Sequence, residues 1–405
     1  MRMRVLRVRA PKALTLATTL ALLAVPALAQ DIVYTGCIRS ADGSLYSVRE
    51  DTTPMAPCRA RDTQISWNMA GQPGPPGPPG PPLDITVDVD CDQGQSINAA
   101  LAQQANTLTV LINGSCEEAV LITRDNVTLQ GVGTNPTITA PAGPNNAIQV
   151  RGAHHVGLRD LHLVGGFHTV SADSFASLEA SNLQITGALH CGIALGNSSA
   201  ILSQCEISQN EDGVSVSSGS SLVISSSKVI NNSHFGVGVN FGQVVLSSTE
   251  VAGNRTGLFS TRSIVDAGGP GCSFHDNLDN GLSIETGSDL SLSECLVSGS
   301  DNGILVQFGS TAGLSLTTIQ GNTNFGVSAS GGSSVFLFQS VINGGSAVGI
   351  WLGDTSTLGG WWDGVWLGTT TVTGTPWGVY CAGPPAVAQL TWPFPGVVTN
   401  CLAGE

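Results

Sequence analysis

The sequence predicts an all-β protein folded as a parallel β-helix with an N-terminal cap helix. Two observations lead to this prediction. A glycine followed by a branched apolar residue recurs every 21 to 24 residues, and a second column of small polar residues follows it about fourteen positions later. Each repeat is too short to bury its apolar side alone, so successive repeats must stack and share one core.

The glycine column defines the turns of this helix. It comprises Gly192, Gly213, Gly236, Gly257, Gly281, Gly303, Gly326 and Gly349, and Ala147 and Thr169 continue it toward the N-terminus. The next position is always branched and apolar, from Ile148 to Ile350. This regularity predicts one strand per turn in the same register.

The second column predicts further strands in each turn. It comprises Cys205, Ser227, Thr249, Cys272, Cys295, Thr317 and Ser340, with apolar residues two places on and, except at Gly269, three places before. Alternation at period two is typical of a strand with one buried face. We interpret the asparagines between the strands as turn residues that tolerate unusual backbone angles: Asn210, Asn232, Asn254, Asn277 and Asn322.

Two other repeat folds are excluded. A leucine-rich repeat has this period but requires an LxxLxLxxN signature and a helix, which the repeats lack. A β-propeller blade needs four strands in about 40 residues, nearly twice the period found here.

Composition restricts the class of protein and its partners. Hydrophobic residues make up 41% of the chain and charged residues 11%, which excludes a disordered protein. Without the five basic residues of the first 29, ten basic residues face 29 acidic ones, a net charge of −19. Because the sequence has no cluster of Lys and Arg, we exclude nucleic-acid binding.

Residues 1–29 are typical of a secretory signal peptide. A basic start precedes the apolar run 13–25, and Ala27-Leu28-Ala29 supplies the small residues of a cleavage site before Gln30. The apolar run is shorter than the roughly 20 residues of a membrane anchor, which is the alternative. We therefore expect a protein without a transmembrane segment, either secreted or at the cell surface or in the periplasm.

Ten cysteines fit an exported protein with disulfides. Pairing in sequence order is the simplest arrangement, and it predicts Cys37–Cys58, Cys91–Cys116, Cys272–Cys295 and Cys381–Cys401. In that order Cys191 would pair with Cys205, but the sequence leaves these two open. Cys272 and Cys295 share one column on adjacent turns, about 4.8 Å apart, which a disulfide can span; stacked free thiols are the alternative.

The regions flanking the repeats predict separate modules. Residues 30–70 form a small Cys-stapled module, and residues 71–82 are four Gly-X-Y triplets, which predict a polyproline spacer or the stalk of a homotrimer. The β-helix is expected over 83–380, with a cap helix at 95–105 and a C-terminal cap at 381–405. Six tryptophans lie near that end, where they could cover the last turn or stack on sugars: Trp351, Trp361, Trp362, Trp366, Trp377 and Trp392.

Residues 109–133, TVLINGSCEEAVLITRDNVTLQGVG, resemble the first turns of right-handed β-helix proteins of the pectate-lyase-like superfamily. The Asn-x-x-Gly-apolar repeats are similar to the generic repeats of that group, including NosD-like proteins, and the resemblance spans roughly residues 84–380. It implies a right-handed, single-stranded β-helix. The segment at 31–82 resembles N-terminal regions of bacterial exported proteins with collagen-like tracts, which implies surface presentation.

The resemblance does not extend to the superfamily's catalytic signatures. NEDG at 210–213 only distantly resembles the NTD element of polygalacturonases, and the sequence lacks the DD, GHG and RIK elements of those enzymes. It also lacks the DPHD element of alginate epimerases. Pectate lyases combine Arg with calcium-binding Asp residues, but from Gly192 onward the only cations are Lys228, Arg255 and Arg262. An anionic uronate polymer would be repelled.

The principal candidate site is a column two places before the glycines. Its ionisable members are His190, Glu211, His234, Arg255, Asp279 and Asp301, followed by Asn324, and we call this column the polar ladder. Neighbouring members would lie about 4.8 Å apart. His190, Glu211, His234, Asp279 and Asp301 are the catalytic candidates, because carboxylates at such spacings and adjacent histidines suit glycoside chemistry. Arg255, Asn280 and Asn302 are binding candidates, and solvated turn residues are the alternative.

Two groups of residues are candidate metal sites. Asp279 and Asp301, beside Asn280 and Asn302, would present the hard oxygen ligands that calcium prefers, unless both are simple Asx turns. Histidines concentrate between positions 154 and 190, and His154, His155, Asp160 and His162 could hold a metal, although their spacing matches no metal motif.

Two classes of function follow. The first, which we favour, is an exported recognition or scaffold protein associated with a neutral or calcium-bridged polysaccharide. The second is a polysaccharide-active enzyme, a lyase, hydrolase or epimerase, that uses the polar ladder.

Overall fold

The computed structural model describes residues 33–68, 84–344, 348–353, 355–360, 370–373, 378–382, 387–388, 398–399 and 402–403. The expected signal peptide, the Gly-Pro-Pro tract, Cys401 and every C-terminal tryptophan except Trp351 lie outside these ranges. The chain forms two compact units, one within Met1–Pro79 and one within Gly80–Glu405.

The first unit is a three-stranded antiparallel sheet. Val33–Ile38 is its central strand and pairs with Leu45–Glu50 on one side and Thr63–Asn68 on the other. A disulfide joins Cys37, which is buried, to Cys58. The Asp62 carboxylate accepts hydrogen bonds from the Tyr46 hydroxyl, at 2.6 Å, and from the Ser40 amide, at 2.9 Å. The disulfide and these bonds stabilise a unit too small for a large core.

The second unit is a parallel β-helix, as predicted, and each turn contributes one strand to each of three sheets. Sheet 1 contains Val120–Ile122, Ile148–Arg151, His168–Asp173, Cys191–Gly196, Asp212–Ser217, Phe235–Asn240, Thr256–Thr261, Asn280–Glu285, Asn302–Val306, Phe325–Ala329, Val348–Leu352, Val379–Cys381 and Val398–Thr399.

Sheet 2 contains Asp84–Asp90, Thr107–Asn113, Val127–Gly131, Val156–Arg159, Ser177–Ser181, Ser199–Ser203, Ser221–Ser225, Gln243–Ser247, Ile264–Gly268, Asp289–Ser293, Thr311–Ser315, Ser334–Phe338, Thr357–Gly360, Val387–Ala388 and Leu402–Ala403. Sheet 3 contains Ser115–Glu117, Thr137–Thr139, His162–Val164, Gln184–Thr186, Glu206–Ser208, Lys228–Ile230, Glu250–Ala252, Ser273–His275, Leu296–Ser298, Thr318–Gln320, Val341–Asn343 and Thr371–Thr373. Three short strands thus lie within the segment 381–405 that was expected to be a separate cap: Val387–Ala388 and Leu402–Ala403 in sheet 2, and Val398–Thr399 in sheet 1.

The predicted columns are the core of the solenoid. The branched residues from Ile148 to Ile350 are fully buried, and sheet-2 strands such as Ser221–Ser225 alternate buried apolar and exposed residues. The glycine column reflects close approach between turns. A Cβ placed on Gly257 would lie 2.5 Å from the carbonyl oxygen of Gly281 on the next turn, and the same clash recurs down the column.

The interpretation of the repeated asparagines as left-handed turn residues is wrong. Asn210, Asn232, Asn254 and Asn277 are buried, and each of the first three donates through Nδ2 to Oδ1 of the next at 3.0–3.1 Å. The positive φ belongs to the preceding residue, for example Asn231. We call these four residues the asparagine column. They face inward because each satisfies its neighbour's amide in the absence of water.

Among the cysteines for which the structure describes both partners, disulfides join three of the pairs that the sequence order predicts: Cys37–Cys58, Cys91–Cys116 and Cys272–Cys295. The last pair has a Cα–Cα distance of 4.7 Å, as expected for one column on adjacent turns. Cys191 and Cys205 are free and buried. They are fourteen residues apart, which places them at different corners of one turn instead of in one column, so pairing in sequence order fails there.

The N-terminal cap helix is present but shorter than predicted. It spans Ile97–Leu101, and Ile97 and Ala100 cover the first turn. The Glu118 carboxylate accepts the amides of Ile97, at 2.8 Å, and Asn98, at 3.0 Å, so the next turn of the solenoid holds the helix N-terminus. Within the described ranges, none of the helices has the length and apolarity needed to cross a bilayer.

Candidate functional site

The polar ladder forms a continuous column at the corner where the chain enters sheet 1. Backbone hydrogen bonds of 2.7–3.0 Å connect its turns: His234 donates to Glu211, Arg255 to His234, and Asp279 to Arg255. The side chains of His234, Arg255 and Asp279 are 43%, 58% and 41% exposed. The structure therefore brings the predicted residues together along the axis.

Partners within the protein already engage the C-terminal half of the ladder. Arg255 Nε donates to Asp279 Oδ2 at 2.8 Å, and this carboxylate raises the pKa of the arginine. The Thr323 hydroxyl donates to Asp301 Oδ1 at 2.8 Å, and Asn302 Nδ2 donates to Asn280 Oδ1 at 2.9 Å. The calcium site on Asp279 and Asp301 remains a prediction, since both carboxylates make other bonds.

The N-terminal end of the ladder contains a cluster that mixes imidazole and thiol groups. His168 and Cys191 face each other in neighbouring sheet-1 strands, and His190 Nδ1 lies 3.0 Å from Cys191 Sγ. The Phe167 ring stacks on His190, with 5.3 Å between the ring centroids. One potential ligand atom from each of His168, His190 and Cys191 lies within 4.8 Å of the others.

Burial controls the protonation of this cluster. It lowers the pKa of His168 to about 4, helped by the neighbouring His190, so His168 is neutral at pH 7. It raises the pKa of Cys191 to about 12, and the carboxylates of Asp212 and Glu211 act in the same direction. Without a cation beside it, Cys191 is therefore a protonated thiol and a poor nucleophile.

One turn further on, Asp212 and His234 form a hydrogen-bonded pair. Asp212 Oδ1 lies 2.9 Å from His234 Nδ1 and also accepts the Phe235 amide at 3.0 Å. Asp212 is mostly buried, whereas the His234 ring is partly open to solvent. A carboxylate that orients a histidine in this way is a common arrangement for general acid–base chemistry.

The structure does not bring together the metal candidates His154, His155, Asp160 and His162. Asp160 Oδ1 accepts from Asn182, and His162 Nε2 lies 3.3 Å from the Thr186 hydroxyl. His154 and His155 are exposed and occupy the corner before a sheet-2 strand. Within the described ranges, His168, His190 and Cys191 are the one group of three or more such side chains close enough to share an ion.

A second feature lies at the opposite edge of sheet 1, where the chain leaves its strands. Phe175, Phe241 and Phe308 follow strands of sheet 1 that are three turns apart, and we call them the Phe row. They are 76%, 50% and 60% exposed, and their φ angles are 67°, 54° and 55°. At about 4.8 Å per turn, the rings are spaced at roughly 14 Å along the axis.

The turn itself requires left-handed backbone, and most of the other turns supply it with residues better suited to that conformation. On the four turns between the phenylalanines, this position is occupied by Asn197, Gly219, Arg262 and Gly287, so three of the four turns use Asn or Gly. A bulky residue in this conformation is unusual. The guanidinium of Arg262 packs over the Phe241 ring at 5.1 Å.

The face of sheet 1 between the two edges is flat on its N-terminal side. Ser171, Ala194, Ser215 and Gly238 lie in register on neighbouring strands and point away from the core. A strand of six residues spans about 20 Å. One extended ligand chain along the axis can therefore contact the polar ladder or the Phe row, but not both.

Sequence reasoning identified the polar ladder but missed several of these residues. Asp212 directly follows Glu211, and Cys191 directly follows His190, in the same corner. Phe175, Phe241 and Phe308 are 66 and 67 residues apart, three periods of the repeat. That spacing was a usable signal.

Comparison with known proteins agrees with the architecture. Residues 108–266 and 268–359 match the protein family described as "Right handed beta helix region". No curated protein is detectably similar to this chain in sequence.

Solved structures with similar folds include three carbohydrate-active proteins. An α-1,3-glucanase catalytic domain in complex with tetrasaccharides has 12% identity and a TM-score of 0.45, over 93% of this chain and 88% of the glucanase domain. The A-module of a mannuronan C-5 epimerase from Azotobacter vinelandii has 15% identity and a TM-score of 0.43, over 76% and 93%. A pectate lyase has 11% identity and a TM-score of 0.43, over 66% and 77%. We draw no conclusion about activity from similarities at this level.

Proposed function

Because the chain belongs to the right-handed β-helix family, we propose that it is an exported recognition protein that binds a neutral polysaccharide along the axis of its solenoid. The observation that carries the proposal is the Phe row. Its three rings are exposed and evenly spaced, and they occupy a left-handed position that is Asn or Gly on three of the four intervening turns.

Isolated aromatic rings at regular intervals suit a linear sugar polymer. Each ring offers a flat apolar face to the C–H face of a sugar, and the intervening turns offer polar groups such as Asn197 and Thr286. A protein interface or a membrane surface would require a contiguous apolar patch instead. The row therefore favours a chain that touches the protein at intervals of about 14 Å.

Charge favours a neutral polymer. After loss of residues 1–29 the chain would have ten basic and 29 acidic residues, so it repels a uronate polymer. A calcium-bridged acidic polymer is the exception, and it would use Asp279 and Asp301. The polar ladder is thus the competing surface.

Export and display complete the proposal. Disulfides in both units fit an oxidising compartment. The signal peptide at 1–29 would direct export, and the Gly-Pro-Pro tract at 71–82 would act as a spacer or as the stalk of a homotrimer.

The test compares variants of the two surfaces. Affinity electrophoresis and calorimetry would use neutral glucans, mannans and xylans, with alginate and polygalacturonate measured with and without calcium. Replacing Phe175, Phe241 and Phe308 together by Asn should weaken binding of a neutral glycan at least tenfold. Leu316→Asn is the matched control, because Leu316 is also exposed and left-handed, with φ of 51°, but lies outside sheet 1.

The opposite result identifies the ladder. If the triple Phe variant binds as the wild type does while Asp279→Ala/Asp301→Ala abolishes binding or a calcium response, the ladder is the binding surface and our proposal is wrong. Both variants should remain folded, because exposed side chains contribute little to the core.

The Asp212–His234 pair favours a second candidate, a polysaccharide-active enzyme. The imidazole of His234 would donate or accept a proton of the sugar, and the carboxylate of Asp212 would orient that imidazole. Glu211 would supply a second carboxylate next to Asp212. Release of reducing ends or unsaturated sugars, lost in His234→Gln but retained in His154→Gln, would establish this activity.

A further inference from the structure

The cluster at the N-terminal end of the polar ladder has the composition of a transition-metal site. His168, His190 and Cys191 each offer one ligand atom, and these atoms lie within 4.8 Å of one another. Imidazole nitrogen and thiolate sulfur are the donors that zinc prefers, whereas calcium and magnesium require oxygen. The donor set thus selects a different class of ion from the one expected at Asp279 and Asp301.

The parallel register of sheet 1 creates this cluster. His168 and Cys191 are directly paired residues on adjacent strands, and the His190 amide donates to the Phe167 carbonyl at 2.9 Å. Both turns are therefore held by backbone hydrogen bonds before any ion binds. Little reorganisation is needed to bring the donors together, which favours binding.

One buried nitrogen in the cluster lacks a hydrogen-bond partner, and its thiol is not part of a disulfide. His168 Nδ1 is buried without a hydrogen bond. Cys191 is a free thiol, and its neighbours in the column are His168 and Asp212, so it has no cysteine to pair with across adjacent turns. A buried polar atom without a partner is costly, and a bound cation would remove that cost.

We propose that His168, His190 and Cys191 bind one divalent transition metal of the zinc class. Three protein ligands leave one position of a tetrahedral site for water or for a ligand oxygen. Asp212, the next residue in the column after Cys191, lies 2.9 Å from His234 Nδ1, so a hydrogen-bonded carboxylate–histidine pair follows the cluster on the next turns. The proposal does not depend on the Phe row or on glycan binding.

Ligation by the thiol makes metal binding depend on pH. A metal binds the thiolate form of cysteine, so binding at Cys191 must displace the thiol proton. The metal affinity should consequently rise with pH.

The experiment uses the full exported chain, freed of metal with a chelator and titrated with cobalt(II). We expect one cobalt per chain and a thiolate-to-cobalt charge-transfer band in the near ultraviolet. Zinc should displace the cobalt and remove the band. The band reports the Cys191 thiolate directly, so the wild-type protein alone can overturn the proposal: no band at saturating cobalt means that Cys191 does not bind.

Variants then assign the ligands. Cys191→Ser should remove the band and weaken zinc binding at least tenfold, and His168→Ala should weaken it similarly. Cys205→Ser is the matched control, because Cys205 is the other free buried thiol, and it should leave band and affinity unchanged. Loss of the band in Cys205→Ser, or its retention in Cys191→Ser, would contradict the assignment. Far-ultraviolet circular dichroism checks that each variant is folded.

Discussion

Two polar columns run side by side through the same corner of the solenoid, one inside and one outside. Asn254 is 2% exposed and Arg255, the next residue, has a side chain that is 58% exposed. The inner column repeats one residue type, since Asn210, Asn232, Asn254 and Asn277 are consecutive members. The outer column changes residue at almost every turn.

The two columns differ in residue variety because water reaches only the outer one. Inside, each amide must donate to the turn that follows and accept from the turn before, so a substitution leaves buried polar atoms without partners. Outside, water satisfies any side chain, and the residue type is free to serve binding or chemistry. At the far edge of sheet 1, Asn197 and Phe175 are both exposed, and there too the residue type changes from turn to turn. A uniform column therefore indicates a structural role, and a departure from the expected residue indicates a functional one.

The largest loss of stability is expected from a substitution in the buried asparagine column. Asn254→Ala removes the bonds to the Val229 carbonyl and to Asn277 Oδ1. It also removes the oxygen that accepts from the Asn232 backbone N–H and from one of the two Asn232 Nδ2 hydrogens. We expect a loss of about 3 kcal/mol in the free energy of unfolding, measured with guanidinium. Asn324→Ala, in the outer column, should cost less than about 0.5 kcal/mol. Equal losses would contradict the distinction between the columns.

Loss of the Cys272–Cys295 disulfide should destabilise the protein almost as strongly. Replacing Cys272 and Cys295 together by Ser should lower the free energy of unfolding by about 3 kcal/mol, through the lost cross-link. The protein should still fold, because Ser227 and Ser340 occupy the same column on other turns. Labelling of the native wild-type protein by a thiol reagent at Cys272 and Cys295 would show that the bridge is absent.

Substitutions of two glycines test whether glycine is needed for the close approach of neighbouring turns or for backbone flexibility. Gly257→Ala places a Cβ 2.5 Å from the Gly281 carbonyl oxygen and 2.8 Å from Asn277 Nδ2, and we expect a loss of about 2 kcal/mol. At Gly196, on the same sheet, a Cβ meets nothing within 4 Å. Gly196→Ala should be neutral or stabilise the protein slightly. A thermal melt of both variants checks this prediction.

Substitution in the Phe row should raise the free energy of unfolding, whereas most of the substitutions above lower it. Phe308→Asn relieves a bulky side chain in left-handed backbone, and we expect a gain of about 1 kcal/mol in the free energy of unfolding. The reciprocal change, Asn197→Phe, should cost a similar amount. If Phe308→Asn is destabilising, the ring contributes to packing and its retention needs no functional explanation.

The smallest effect concerns an exposed ion pair on sheet 3. The hydrogen bond from Lys228 Nζ, at 2.9 Å, lowers the pKa of Glu250, helped by His275. A lowered pKa means that the pair stabilises the protein above pH 4.5, the ordinary value for Glu, and that this contribution disappears as pH falls through the lower folded value. Glu250→Gln should cost at most about 0.5 kcal/mol at pH 7, and this cost should shrink as the pH is lowered below 4.5. A cost that does not change with pH would mean that the charge is irrelevant.

The periodicity of the chain determined the architecture. Residues that recur every 21 to 24 positions, such as Gly192 and Gly213, must stack once the turns pair, so the β-helix, the buried Ile and Val columns and the Cys272–Cys295 bridge were all predictable. The polar ladder was predictable as a column for the same reason. The helix at Ile97–Leu101 followed from local spacing of apolar residues, although its end did not.

Only the tertiary structure decided which polar column faces the core. A period reports which residues share a column, but the backbone angles of the corner decide whether a side chain points in or out, and a shift of one residue reverses the direction. For this reason the sequence predicts a turn residue at Asn232, whereas it is Asn231 that has the positive φ. The approach of His168 to Cys191 likewise depends on the register of two strands. Position along the repeat was therefore a property of the sequence, and orientation at the corners was a property of the folded chain.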